Sequence, residues 1–203
     1  MAAAGLRLPA GSPAPGQRTE DWEAEVAACR AEWDAFIAPA APAATWSEVV
    51  SLEAFRAQVD AVFFGTMHVT KAALPVFRRQ GSGYLIQLTS VGGRLTAPGL
   101  GAYQSAKFAV EGFSSVLRQE VAPLGIRVTL AEPGAMRTDW AGSSMDIPAF
   151  GPGYEATVGA IGRHLRETSG TEPIDPAKVA RAFLDLADNP QPLSPPSTLR
   201  GTS

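Results

Sequence analysis

Tyr103 and Lys107 stand four residues apart in the run Tyr103-Gln104-Ser105-Ala106-Lys107. On a helix such a pair shares one face, with the phenol and the ammonium about one turn apart. A lysine cation beside a tyrosine stabilises the phenolate and lowers the phenol pKa from its usual value of about 10. A tyrosine shifted this way exchanges a proton near neutral pH, as a general acid or base must. Alone, Y-x-x-x-K is a weak signal, because pairs at this spacing are common on solvated helix faces. Two neighbours sharpen it. Ser90 closes a short apolar run before this segment, and Pro133-Gly134 breaks the next apolar run after it. Ligands of α/β sheets bind at the carboxyl ends of the strands. A hydroxyl, a tyrosine–lysine pair and a backbone-exposing turn are therefore expected in one crevice. The plainer reading is a strand end, a helix face and a loop with no shared ligand.

The elements that would position these groups follow from periodicity. Phe55, Val59, Val62, Phe63, Val69, Ala73, Leu74 and Phe77 form a helical stripe from about Ser51, closed by Gly81-Ser82-Gly83. Tyr84 to Ser90 reads as a buried parallel strand, and Val91 to Leu100 as a loop. A helix over about Gly101–Ala122 is stopped by Gly125, and Arg127 to Ala131 is a second strand. Strand, helix, strand in this order is a parallel crossover unit. The stretch from Asp139 to Gly170 is loop-like with a helix near Tyr154–Arg166, and a last helix spans about Pro176–Ala187. The fold class is α/β, a partial Rossmann-like parallel sheet flanked by helices. The expected organisation is a flexible leader over 1–18, an atypical helical segment over 19–50, the Rossmann-like catalytic half over 51–188, and a loose tail over 189–203.

Composition excludes other classes. A net charge of −3 leaves no basic excess for nucleic acid. No run approaches the roughly 18 apolar residues of a membrane span. One cysteine, Cys29, rules out an internal disulfide or a multi-cysteine metal site, and His68 and His164 lack ligand spacing, so no metal is expected. A cytoplasmic protein is the default.

Residues from about Leu52 to Met145 resemble the short-chain dehydrogenase/reductase family. The matching runs are FFGTMHVTKAALP (Phe63–Pro75), the strand and serine of LIQLTS, and SVGGRLTAPGLGAYQSAKFAVEGFSSVLRQEVAPLGIRVTLAEPGAMRT (Ser90–Thr138). The resemblance implies a Rossmann fold, NADP or NAD as cofactor without a readable preference, and a small-molecule alcohol or carbonyl substrate. It implies that Tyr103 is the catalytic acid/base and that Lys107 lowers its pKa and binds the nicotinamide ribose. Ser90 would hold the substrate oxygen. The Pro133-Gly134 backbone would line the nicotinamide, with Thr138 near its carboxamide or the diphosphate. It also implies a homodimer through the two long helices. The stretch Glu111-Gly112-Phe113 is read as packing.

Three departures accompany the resemblance. No G-x-x-x-G-x-G follows a strand before Leu52, so the half that seats the dinucleotide diphosphate on a helix N-terminus is not recognisable. Val62 stands where the family has an asparagine that helps hold a proton-relay water. The tail after Gln191 does not resemble the family's last strand. These departures favour a rival expectation, a non-catalytic family member that acts as a dimerising interaction protein.

Overall fold

The computed structural model describes residues 50–143, 145, 147 and 149–188. The expected leader, nearly all of the 19–50 segment and the tail lie outside the described residues. Helix α1 (Leu52–Val59) starts where Ser51, in extended backbone, accepts a hydrogen bond from the Ala54 N–H at 3.1 Å. That is a side-chain N-cap, with Glu53 adding negative charge to the first turn. The helical path then passes through a π turn (Asp60–Phe64) into α2 (Gly65–Gln80). Periodicity predicted one regular helix here. The break arises because the Gly65 N–H reaches back to Asp60 O, while Thr66 Oγ1 takes the Val62 carbonyl at 2.8 Å. Gly81 ends α2 in the left-handed region at φ 67°, as a C-terminal glycine does.

Strands β1 (Gly83–Leu88) and β2 (Ile126–Ala131) pair in parallel, from Gly83 opposite Ile126 to Leu88 opposite Ala131. Helix α3 (Gly101–Val121) makes the crossover between them. Leu117 and Val121 of α3 pack with Ile126 and Val128 of β2, and Leu74, Phe77, Leu85 and Phe113 close around this core. The expected α/β architecture is present, with two strands among the described residues. Gly125 turns the chain into β2 at φ 72°, and a Cβ there would lie 2.5 Å from the Gly81 carbonyl oxygen. Only glycine satisfies both the backbone angle and that contact.

Beyond β2 the chain crosses a 3₁₀ turn (Asp139–Ala141). The helix expected near Tyr154–Arg166 is instead a π turn (Glu155–Gly159) leading into α4 (Ala160–Thr168). Helix α5 (Pro176–Asp188) follows. The segment before α5 is tied to the β2 exit by Arg137 N to Ile174 O at 2.9 Å and Ile174 N to Ala135 O at 3.2 Å. No described helix is long and apolar enough to cross a membrane.

Where α2, β1 and α3 meet, the core is polar. Gln87 on β1 donates to Thr70 Oγ1 on α2 at 2.9 Å and accepts from Ser114 Oγ on α3. Thr70 also donates to Thr66 O at 2.8 Å, and the single Ser114 proton is shared between Gln87 Oε1 and Val110 O, the latter 2.6 Å away. All three side chains are buried. Because both hydroxyls keep a helix carbonyl, an apolar residue of similar shape at 87 leaves no donor stranded. Gln87→Met should therefore cost about 1 kcal/mol, whereas Gln87→Ala, which also opens a cavity, should cost roughly 2–4 kcal/mol. Urea denaturation of the two variants measures the difference.

Candidate active site

The hydrogen-bond ladder of the sheet continues past both strands. Thr89 N donates to Ala131 O at 2.8 Å and Val91 N to Pro133 O at 3.2 Å. Ser90 is thereby held beside Pro133 at the carboxyl edge of the sheet. Ser90 lies just outside β1, in extended backbone, and caps the 3₁₀ turn Val91–Gly93 by accepting from Gly92 N at 3.1 Å. Gly92 is buried, and a Cβ there would lie 3.2 Å from Tyr103 Cε1 and 3.5 Å from Ser90 Oγ. The missing side chain is what lets this turn approach the tyrosine.

Tyr103 sits in the first turn of α3, and its phenol is close enough to the Ser90 hydroxyl to feel it electrostatically. Lys107, one turn on, has Nζ 5.8 Å from the Tyr103 ring centroid and donates to Leu88 O at 3.2 Å. The structure thus brings Ser90, Tyr103, Lys107 and Pro133 to one edge. Gly134 follows Pro133 there, with Ile174 against it. Gln104 fastens the intervening loop to α3, accepting from Ala97 N at 3.0 Å and donating to Leu95 O at 3.1 Å.

The electrostatics correct one expectation. Burial pushes the Tyr103 phenol above its usual value of 10.0, and the neighbouring Ser90 hydroxyl only partly offsets this. Lys107 does not lower it here, because the ammonium is turned to the Leu88 carbonyl and is itself desolvated. Burial brings Lys107 down from 10.5 to about 8, against the opposing pull of Glu111.

Thr138 is solvent-exposed, and its Oγ1 accepts from Trp140 N at 3.4 Å. Sequence reasoning passed over Trp140, whose ring lies 5.4 Å from that of Tyr103, tilted by 51°. It gave Arg166 no part either. From α4, Arg166 donates to Ala141 O at 3.1 Å, to Met145 O at 2.6 Å and to Gly142 O, and so pins the turn that carries Trp140. A tryptophan two residues past Thr138 in a Gly/Ser-rich stretch was the signal available.

A charged corner was missed as well. Arg94 Nε and Nη2 grip Glu132 at 2.6 and 2.7 Å, and Nη2 also reaches Glu111 at 3.4 Å. Glu132 is 3% exposed and immediately precedes Pro133. Glu111 therefore does more than the packing expected of it. No cluster of metal-binding side chains occurs among the described residues.

Comparison with known proteins agrees with this geometry. The family profile described as short chain dehydrogenase matches residues 18–147, beginning upstream of the resemblance read from Leu52. Oxidoreductase BOA17 of Botryotinia fuckeliana is 51% identical over 145 residues, covering 71% of this chain and 53% of that protein. The uncharacterized oxidoreductase YusZ of Bacillus subtilis is 38% identical over 144 residues, covering 69% and 51%. The chain spans about half the length of these curated relatives. A short-chain dehydrogenase structure from Streptomyces avermitilis superposes with a TM-score of 0.66 at 29% identity, covering 86% of this chain and 73% of that one. With the profile spanning well over half of its residues, the chain belongs to the short-chain dehydrogenase family.

Proposed function

We propose that the chain carries the catalytic part of an NAD(P)-dependent oxidoreductase acting on a small-molecule alcohol or carbonyl. The observation behind this reading is the Tyr103 phenol beside Ser90 at the carboxyl edge of a parallel sheet, with Lys107 one turn along. Membership of the family supports it, as does the word oxidoreductase in the names of the relatives.

When bound, the nicotinamide supplies or accepts the hydride. The chain's own residues handle the oxygen and its proton. Ser90 and Tyr103 hold the substrate oxygen between them. In reduction Tyr103 gives its proton to that oxygen, and burial, which keeps the phenol protonated, suits this direction. Lys107, now donating to the Leu88 carbonyl, would hold the ribose hydroxyls of a bound cofactor. The Pro133-Gly134 backbone would line the ring, and the Thr138 hydroxyl would lie near its carboxamide or the diphosphate. These donors fit the nicotinamide end of the cofactor. The glycine turn at Val91–Gly93 is no diphosphate cradle, since Gly92 and Gly93 are buried against Tyr103 and Glu111. Trp140 covers the reacting phenol from the solvent side.

A homodimer through α2 and α3 belongs to the same reading. Phe64 and Val69 on one helical run, and Phe108 and Val116 on α3, are exposed apolar residues. A cytoplasmic location is consistent with the single cysteine.

Tyr103→Phe should lower carbonyl reduction by about 10²–10⁴-fold while calorimetric binding of NADPH or NADH persists. Activity that survives the substitution, or no binding of either nucleotide, overturns the reading. The lowered Lys107 pKa also fixes a sign for stability. The folded chain releases this proton near 8 and the unfolded chain near 10.5, so the burial penalty is full below 8 and relieved above it. Wild type should gain denaturation midpoint relative to Lys107→Met between pH 8 and 10, as equilibrium unfolding measures. Val116→Glu should convert a dimer to monomer by light scattering, since it buries a charge in the apolar contact.

A further inference from the structure

Tyr103 has two close neighbours of different character. One is the buried Gly92, where a Cβ would sit 3.2 Å from Tyr103 Cε1. The other is the Trp140 ring, its centroid 5.4 Å away and its plane tilted by 51°. Trp140 is only half-buried, so part of the indole stays open to a ligand. A half-exposed side chain on a loose loop swings between rotamers. This one stands on a turn that is held from several sides. Thr138 Oγ1 accepts from Trp140 N at 3.4 Å, and the Asp139 carboxylate accepts from Ser143 N at 3.1 Å and from Ser143 Oγ at 2.9 Å. Gly142 admits that carboxylate, which a Cβ at 142 would meet. From α4, Arg166 donates to the carbonyls of Ala141, Gly142 and Met145, and Ala141 and Met145 are themselves buried. Hydrogen bonds from a guanidinium are charge-assisted, and its planar fork holds several acceptors in fixed directions.

We propose that Trp140, held in place by Arg166, is a specificity-determining residue: its indole is a fixed wall beside the Tyr103 phenol that favours substrates carrying a flat aromatic or conjugated group on the reacting carbon. This deepens the functional reading and rests on Tyr103 being the acid/base. A substrate oxygen at the Tyr103 hydroxyl puts a substituent of the reacting carbon within reach of the ring packed against that tyrosine. A planar substituent meets the indole in an offset or edge-to-face contact, whereas a puckered ring of the same carbon number touches it at fewer atoms. Because the wall is braced before the substrate arrives, little freedom is lost when the two meet. Arg166 touches neither the substrate nor the reacting atoms. It acts through Trp140 and is a positioning residue, so its loss should loosen selectivity and leave proton transfer by Tyr103 alone.

Benzaldehyde and cyclohexanecarbaldehyde share one carbon skeleton, flat in the first and puckered in the second. With the full chain and NADPH or NADH, the ratio of kcat/KM for the first over the second should fall about fivefold to tenfold in Trp140→Leu, which keeps apolar bulk without a ring. Trp140→Phe, which keeps a flat ring, should stay within about twofold of wild type. Comparing ratios cancels the intrinsic reactivity of the two aldehydes. Arg166→Met should lower the ratio about threefold while turnover of cyclohexanecarbaldehyde holds. An unchanged ratio in Trp140→Leu overturns the proposal and leaves the functional reading standing. So does a fall in Trp140→Phe as large as that in Trp140→Leu, and an unchanged ratio in Arg166→Met overturns the part given to Arg166. Benzamide and cyclohexanecarboxamide repeat the comparison without turnover. By ligand-observed NMR the wild-type chain should bind benzamide about tenfold more tightly than its saturated counterpart, and Trp140→Leu should not distinguish them. Binding of neither amide, or equal binding of both to wild type, overturns the proposal. The expected preference in a chain that reduces neither aldehyde upholds the aromatic wall and overturns the functional reading instead.

Discussion

Two parallel strands cannot be joined by a hairpin, and this constraint organises the molecule. The chain leaves β1 at its carboxyl end and must return to the amino end of β2, so α3 runs back across the pair. Its two ends then have different duties. The first turns, with Tyr103 and Lys107, lie beside Ser90 and Pro133. The last turns, with Leu117 and Val121, reach the apolar core against Ile126 and Val128. One helix carries the candidate site at one end and the packing at the other, with Ser114 between them in the buried polar contact with Gln87. A shift of the helix along its axis would disturb the core and the site together.

Desolvation is the common cause of the site's electrostatics. The same burial raises the Tyr103 phenol and lowers the Lys107 ammonium, each toward its neutral form. The corner of Arg94, Glu111 and Glu132 laces together the β1 loop, α3 and the exit of β2. Trp140 packs its ring against that of Tyr103, and Arg166 braces the turn that carries it.

Ser90, Tyr103, Lys107 and Pro133-Gly134 were legible because local signals fix them: an apolar run ending in a hydroxyl, a pair at helical spacing, and a Pro-Gly break. Both strands and the long helices were legible for the same reason, their periods being strong and their glycine stops sharp. What escaped reading depends on contacts far apart in sequence. Arg94 meets Glu132 across 38 positions, and nothing local to either residue announces the other. The direction of the Tyr103 shift was misjudged because spacing reports the neighbour one turn away but not the depth of burial. The π turn was invisible because it inserts one residue without altering the apolar character of the stripe.

That π turn sets the phase of the helical run. Twelve steps of a regular helix would leave Gln58 and Thr70 about 120° apart, and by winding one extra residue into a turn the π segment reduces that to about 20°. Gln58, the buried residue of α1, and Thr70, buried in α2, face inward at once only because of this offset. A single-residue deletion between 60 and 64 would thus restore a regular helix and leave Gln58 facing inward, whereas a single-residue insertion would swing it outward. Length variation in this segment is constrained by rotation, a demand that no side chain there reveals.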